Sequence, residues 1–252
     1  MTEIRADIEA EAERLLALAE SESVPLRLLG GLAIRLRAAG GLPPAFVRTY
    51  ADLDFVTAKR GSGKTQSFFR EAGYEPQKAF NALNGSERLL FFDDSNDRQV
   101  DVFVGQFSMS HTIPVNDRLE LEPLTLPLAE LLLTKLQIAE LNEKDVRDAL
   151  ALFHLHDVGE TDGRTINARR IAELCAADWG LWRTITGNLE TTRTHVDRYE
   201  LSDEEQATVR SRIDELLALI EAEPKTRGWK LRGKIGERKR WYETPEEVGG
   251  GP

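Results

Sequence analysis

The sequence predicts an α+β protein, with a mixed β-sheet and flanking helices in its first half and helices alone in its second half. Before residue 125, short apolar stretches with period-two alternation are separated by helical stretches and by Gly and Pro. After Pro127 the apolar spacing is helical, and no convincing strand pattern follows. We therefore expect a core at residues 1–125, a helical domain at 126–223, and a basic, partly irregular tail at 224–252.

The composition fits a soluble globular protein and excludes several other classes. Hydrophobic residues make up 41% of the 252 residues and charged residues 30%, both ordinary values. Because no apolar run reaches about 18 residues, we expect no transmembrane helix and no membrane partner. The N-terminal stretch is acidic and amphipathic, unlike a signal peptide. Cys175 is the only cysteine, which excludes an intrachain disulfide and favours a reducing, cytoplasmic setting. The four scattered histidines offer no zinc-ligand spacing.

Charge is unevenly distributed along the chain. The net charge is −10, but residues 225–240 hold eight Lys or Arg against one Glu, so the remaining chain carries about −17. The overall balance argues against a protein coated for nucleic-acid binding. The basic segment favours a local contact with phosphate, with an acidic partner or with the acidic body itself. Trp229, Trp241 and Tyr242 lie within or beside it, where aromatic rings either stack on bases or anchor the tail.

The elements of the first half follow from period and punctuation. Helices are indicated by apolar residues at helical spacing among charged ones, and strands by short apolar runs that end in Gly, Pro or Asp-rich turns. The predicted helices lie at residues 3–20, 32–39 and 64–72, and the predicted strands at 24–29, 51–57, 88–92 and 99–104, with a further strand near the sheet edge within 111–122.

The second half shows helical spacing only. Apolar residues recur there every three to four positions among Glu, Arg and Asp. The predicted helices lie at residues 128–141, 143–156, 167–177, 179–198 and 202–222.

Three carboxylates on two predicted strands form the main functional signal. Asp52 and Asp54 alternate with Leu53 and Phe55, so both point to one face of their strand. Asp101 lies among Val and Phe on a later strand. An isolated D-x-D is weak, but burying unpaired carboxylates is expensive, and a second acidic strand strengthens the signal. If the two strands are neighbours, the three carboxylates can meet and hold a hard cation such as Mg²⁺ or Mn²⁺.

Several stretches resemble a known family and occur in its order. They are LGGLAI at residues 29–34, RTYADLDF at 48–55, VDVF at 100–103, TKL at 134–136 and KDVRDAL at 144–150. This arrangement resembles the polymerase-beta-like nucleotidyltransferases, most closely the AbiEii-like branch, known as toxins of bacterial toxin–antitoxin systems. The resemblance covers roughly residues 25–155 and implies a nucleotidyltransferase-type sheet.

The resemblance implies roles for individual residues. Gly30 and Gly31 would let the backbone approach a triphosphate at a helix N-terminus, where unpaired N–H groups favour anions. The three carboxylates would hold the metal, and Asp101 would also help to deprotonate the attacking hydroxyl. The remaining implied roles are a phosphate contact for Arg48, a catalytic phosphate contact for Lys135, and nucleotide binding by Lys144 and Asp145. In the motif, Asp145 would orient Lys135 or another basic side chain, and Asp148 completes the pattern. The alternatives are solvated side chains for Lys135 and Lys144, and ordinary helix-face pairing of Glu143 with Lys144.

The implied activity is transfer of a nucleoside monophosphate from an NTP to a hydroxyl of RNA, protein or a small molecule. A cognate antitoxin would be a further partner. Leu32 stands where the family often has Ser or Thr, and Tyr50 replaces a small hydroxyl residue. A non-catalytic nucleotide- or partner-binding module with the same fold is therefore the alternative.

A second phosphate-binding pattern occurs at residues 58–65, AKRGSGKT. It follows a predicted strand and precedes a predicted helix, as a P-loop requires, so Lys64 would contact phosphate and Thr65 would contact Mg²⁺. Ala58 replaces the first glycine, and no repeated βα units follow. We favour a Gly-Ser turn in which Ser62 caps the helix, with a P-loop NTPase as the less favoured alternative.

Overall fold

A computed structural model of the protein describes residues 3–244. The helices are α1 Ile8–Ser21, α2 Gly30–Arg37, α3 Ser62–Glu71, α4 Lys78–Asn84, α5 Leu128–Leu136, α6 Glu143–Leu155, α7 Ala168–Ala177, α8 Trp179–His195, α9 Asp203–Ala222 and α10 Arg227–Ile235. The strands are β1 Leu26–Leu28, β2 Leu53–Thr57, β3 Glu75–Pro76, β4 Arg88–Asp93, β5 Arg98–Val104, β6 Gln106–Ser108, β7 Thr112–Pro114, β8 Val158–Gly159 and β9 Ile166–Asn167.

Five strands form a mixed sheet in the order β1-β2-β5-β4-β3. The central pair, β2 and β5, is parallel, and the other neighbours are antiparallel. The register of the parallel pair sets Asp54 opposite Asp101. After β7 the described chain forms helices apart from the two-residue pair β8 and β9. The predicted α+β class, with a mixed sheet and a helical C-terminal part, is confirmed.

Two details of the first half differ from the prediction. A strand does lie within 111–122, as β7, but its expected place near the sheet edge is wrong, because β7 pairs with β6 in a separate hairpin. Pro114, which ends β7, has no N–H to donate and cannot extend a ladder. The short elements β3 and α4 had no prediction, since two and seven residues are too few to show a period.

Local caps fix the helices that carry the site. Asn142 caps α6 by accepting a hydrogen bond from the Asp145 N–H at 3.0 Å. Asp145 and Asp148 follow three residues apart, so their side chains share one face of α6. The first N–H groups of any helix have no intrahelical partners. Helix α2 begins at Gly30, and no side chain caps these groups there.

The buried residues of the sheet and of the helical part form one continuous apolar cluster. Phe69 of α3 stacks on Phe91 of β4 at 4.7 Å between ring centroids. Leu32 of α2 lies in the same cluster with 2% of its surface exposed. The three-part division of the chain stays a prediction, and the last eight residues of the predicted tail, 245–252, lie outside the described residues. Within residues 3–244, no helix is long and apolar enough to cross a membrane.

Candidate active site

Two neighbouring strands bring the three predicted carboxylates together. Asp54 on β2 is in register with Asp101 on β5, and adjacent strands lie about 4.8 Å apart. Asp52 directly precedes β2 and is exposed, Asp54 is partly buried, and Asp101 is 4% exposed. All three line one cleft of about 820 Å³. The expectation that the two acidic strands are neighbours is therefore met.

The three carboxylates differ in what holds them. Asp101 accepts hydrogen bonds from Arg88 Nε and from Gln99 Nε2, each at 2.7 Å. The Asp54 side chain makes no hydrogen bond or ion pair with any residue between 3 and 244. Burial, followed by the nearby charge of Asp101, raises the pKa of Asp54 to about 7. The same two causes raise the pKa of Asp52.

The carboxylate oxygens suit a hard cation, but the described side chains are not arranged around a metal position. Carboxylate oxygens are the ligands that Mg²⁺ and Mn²⁺ prefer, and a cation would relieve the repulsion that raises the pKa of Asp54. In the part of the chain that the structure describes, no group of three or more acidic, His or Cys side chains is arranged around a metal position. Asp52 and Asp54 are free to hold an ion, whereas Asp101 is held by Arg88. A metal site on all three carboxylates stays a prediction.

Lys135 lies at the centre of a buried charge network on the helix side of the cleft. Its Nζ is 2.9 Å from Asp148 Oδ2 and 3.4 Å from Asp145 Oδ1. Arg48 donates to the same Asp148 carboxylate through Nε at 2.9 Å and Nη2 at 2.7 Å. Burial alone would lower the pKa of Lys135, but the two carboxylates outweigh it and raise that pKa. Desolvation of Asp148 is likewise outweighed, by Lys135 and Arg48, and its pKa is lowered.

The ion pairs show which carboxylate of α6 lies closest to Lys135, which the sequence motif did not specify. Asp145 was expected to orient Lys135, and Asp148 had no role of its own. The shorter contact is made by Asp148, which joins Lys135 to Arg48. Arg48 also lies over the Tyr50 ring at 4.5 Å, so its guanidinium is already fixed by protein groups. Lys144 is exposed and makes no ion pair within the described residues.

Side chains approach both glycines at the start of α2 closely. Gly30 has a φ of +73°, and a Cβ there would stand 2.4 Å from Asp54 Oδ2. A Cβ on Gly31 would stand 1.8 Å from Arg48 Nη2. The pair therefore lets Asp54 and Arg48 pack against the uncapped end of α2. The N–H groups of that first turn favour an anion beside the carboxylates.

The carboxylates border two adjoining spaces of different character. A smaller space of about 380 Å³ touches Asp52 and Asp54, and it is lined by the cations Arg48, Lys135 and Lys144. The 820 Å³ cleft shares Lys135 with it and has in addition an apolar wall, formed by Phe103, Phe107, Met109, Ile138 and Ala139. An anionic group would fit the first space and a flat or apolar group the second.

Sequence reasoning missed two contributors to the cleft. Arg88 lies opposite Phe103 in the β4–β5 pair, from where a long side chain reaches the diagonal neighbour Asp101. The hairpin register was the signal that could have shown this. Tyr242 and its two successors also line the cleft, and the Glu243 N–H donates to the Ser110 carbonyl at 3.0 Å. No local pattern indicates that contact.

The P-loop-like segment is arranged as an ordinary turn. It follows the C-terminal end of β2, whereas the carboxylates lie at the N-terminal end. Lys64 Nζ donates to the carbonyls of Glu22 at 2.5 Å and Ser23 at 3.1 Å. Thr65 is buried, and its hydroxyl lies 3.0 Å from that of Thr57. The expected cap by Ser62 is wrong, because α3 begins at Ser62 and its capping position is Gly61, which has no side chain to accept a bond.

No protein-family model matches this chain, and no curated protein matches it. One solved structure that is similar to it is described as an antigenic nucleotidyltransferase-like protein from Paracoccidioides brasiliensis. The match covers 87% of this chain and 94% of that chain, with 12% sequence identity and a TM-score of 0.41. At those values the similarity carries no functional assignment, which rests instead on this chain's own residues.

Proposed function

We propose that the protein is a metal-dependent nucleotidyltransferase that moves a nucleoside monophosphate from an NTP to an acceptor hydroxyl. The observation that carries the proposal is the position of Asp52 and Asp54. They border both a space lined by three cations and a larger cleft with an apolar wall. This arrangement suits a triphosphate among the cations and an acceptor against the apolar wall, with the carboxylates next to both.

The chain's own groups would bind the donor nucleotide. The N–H groups at the start of α2 and the cations Lys135 and Lys144 would contact the phosphates. Arg48 would contribute mainly by fixing Asp148, which holds Lys135. A divalent cation on Asp52 and Asp54, when bound, would neutralise phosphate charge and activate the attacking oxygen.

The reaction needs a base on the acceptor side. Asp101 lines the larger cleft, and Arg88 and Gln99 hold its orientation. It would take the proton as the acceptor oxygen bonds to the α-phosphorus. The bond from that phosphorus to the bridging oxygen then breaks, and pyrophosphate leaves. Position and charge neutralisation would supply most of the rate enhancement.

Transfer of label tests this proposal directly. The wild type would be incubated with each α-³²P-labelled NTP, Mg²⁺ or Mn²⁺, and cellular RNA or protein, beside Asp54→Asn and Lys64→Ala. We expect incorporation that is lost in Asp54→Asn and kept in Lys64→Ala. Hydrolysis of the NTP to NDP that is lost in Lys64→Ala and kept in Asp54→Asn would instead support a P-loop NTPase. Nucleotide binding without any transfer would support the non-catalytic module, which the buried, hydroxyl-free Leu32 would favour.

A toxin role is a further proposal, and it is supported only by the resemblance to the AbiEii-like branch. Induced expression of the wild type should then arrest bacterial growth, and Asp54→Asn should not. A cognate antitoxin would co-purify with the full chain when a neighbouring gene is expressed with it. Equal growth with both forms would argue against this role and leave the transferase proposal standing.

A further inference from the structure

The C-terminal segment, residues 225–244, presents unpaired positive charge on an acidic protein. The protein has a net charge of −10, yet this segment exposes cations along α10 and the turn that follows it. None of them makes an ion pair with any residue that the structure describes. They are Arg227, Lys230, Lys234, Arg238, Lys239 and Arg240, of which Arg240 lies over the Tyr242 ring at 4.7 Å.

Aromatic contacts hold this C-terminal segment against the helical part. Trp229 lies edge-on to Trp182 of α8, with ring centroids 5.1 Å apart. Arg232 lies over the Trp179 ring at 4.7 Å and donates to the carbonyls of Gly236 and Lys239, each at 2.7 Å. The exposed cations therefore stand on a segment that is fixed to the body.

The same segment leads into the cleft that contains the carboxylates. Trp241 Nε1 donates to Thr184 Oγ1 at 3.1 Å, and Tyr242 lines the cleft together with Asp54 and Asp101. Arg238 precedes Tyr242 by four residues, and an extended chain spans at most about 3.6 Å per residue. A row of cations thus ends within roughly 14 Å of the cleft wall.

We propose that the C-terminal segment binds the phosphates of a single-stranded nucleic acid and directs its terminal hydroxyl into the cleft. This inference rests on the proposed transferase function and names its acceptor class. The cations would contact successive phosphates, and the Tyr242 ring would stack on a terminal base in the cleft. Grooves that bind single strands combine backbone-tracking cations with stacking rings.

An acidic protein is the competing partner for a basic surface. The cleft favours a nucleic acid, because its apolar wall and the Tyr242 ring accept a flat base. A polyanion bound by charge alone would make no use of that ring. Stacking and charge therefore separate the two partners in an experiment.

Binding of a fluorescent single-stranded RNA 20-mer would be measured by anisotropy at 50 to 200 mM salt with the full-length protein. The variant Arg238→Gln/Lys239→Gln removes two exposed cations of the C-terminal segment. Its matched control, Lys59→Gln/Arg60→Gln, removes two exposed cations beyond the opposite end of β2. We expect the first pair to reduce the slope of log K against log salt by about 1.4 and the control to leave it unchanged. Tyr242→Ala should weaken binding by about ten-fold.

Three outcomes would overturn the inference. They are the absence of RNA binding at 50 mM salt, equal slopes for the two double variants, and competition by polyglutamate as effective as by unlabelled RNA. Asp54→Asn separates this inference from the proposed function, because it should abolish transfer and still bind RNA. Binding without transfer in the wild type would count against the transferase alone, and transfer to protein without RNA binding would count against the acceptor class alone.

Discussion

The Asp54 carboxylate destabilises the fold when it is charged, and this energetic cost points to a functional role. Its carboxylate lies beside Asp101 without a hydrogen-bonding partner among the described residues, and burial together with Asp101 raises its pKa to about 7. Its ordinary pKa is 3.8. Between these values the folded protein holds a proton that the unfolded chain releases, so the free energy of unfolding falls as pH rises through this window. The charged carboxylate lowers the stability of the ligand-free protein, and a bound cation would offset that loss.

Removing the Asp54 charge should therefore stabilise the metal-free protein. We expect Asp54→Asn to raise the free energy of unfolding at pH 8 by on the order of 1–2 kcal/mol, and by much less at pH 5, where the carboxyl is protonated. Thermal unfolding in EDTA at both pH values measures the difference. Asp94→Asn, at an exposed acidic residue, is the control and should change neither. An equal gain at both pH values would show that ionisation of Asp54 is not the cause.

Lys135 has the opposite effect on stability, because its positive charge pairs with neighbouring carboxylates. Without it, among residues 3–244, Asp145 loses its only ion-pair partner, and Asp148 keeps only Arg48. We expect Lys135→Met to lower the free energy of unfolding by about 3–5 kcal/mol, as when one partner of a buried ion pair is removed. Urea unfolding measures this loss. Lys144→Met, at the exposed lysine of the same space, should stay within about 0.5 kcal/mol, and similar losses in both would contradict a central role for Lys135.

At the level of elements, helices α2 and α3 allow a direct comparison of two glycines. Each has glycine at its second helical position, Gly31 in α2 and Gly63 in α3. A Cβ on Gly63 would meet nothing within 4 Å, whereas one on Gly31 would displace the Arg48 guanidinium from its site on Asp148. One glycine is thus required by packing, and the other is free to change.

The two glycines should respond oppositely to alanine. We expect Gly63→Ala to stabilise the protein by about 0.5–1 kcal/mol and to leave nucleotide transfer unchanged. Gly31→Ala should destabilise it by roughly 1–3 kcal/mol, because Arg48 must leave Asp148. Denaturant midpoints and the label-transfer assay measure both effects. Loss of nucleotide binding in Gly63→Ala would restore the P-loop interpretation.

The elements that could be predicted from the sequence are those that are long enough to show a helical period or a clear strand alternation. Residues 51–55 alternate apolar and charged side chains, and β2, Leu53–Thr57, begins there. Helix α9 has a capping box between Ser202 and Glu205 at its start, close to the predicted residue 202. The hairpin of β6 and β7 is different, since strands of three residues show no period and their pairing depends on the turn between them.

At the scale of the whole molecule, the site is assembled from residues far apart in the chain. The carboxylates could be predicted because each lies in its own strand pattern. The ion pair of Arg48 with Asp148 joins positions 100 residues apart, and no pattern in either stretch encodes that contact. The same holds for Tyr242, which reaches the cleft after the entire helical part. Contacts of this kind depend on how the helices pack on the sheet, which local periodicity does not specify.

Trp241 links the C-terminal segment to both the helical part and the cleft. Its indole packs on Trp179 with centroids 6.0 Å apart and donates to Thr184. Two residues later, the Glu243 N–H bonds to Ser110. If Trp241 anchors this contact, Trp241→Ala should release residues 242–244 from the cleft without unfolding the sheet.

Hydrogen exchange tests that release. We expect the Glu243 amide to exchange at least about ten-fold faster in Trp241→Ala, which corresponds to a loss of about 1.4 kcal/mol in local stability. Trp229→Ala removes the contact of α10 with Trp182 and is the control, because Trp241 would still hold the end of the segment. Protection of the β5 amides should remain in both variants. Unchanged exchange at Glu243 in Trp241→Ala would mean that the Ser110 contact holds the segment by itself, and acceptor access would then be controlled at Ser110 and not at the tryptophan.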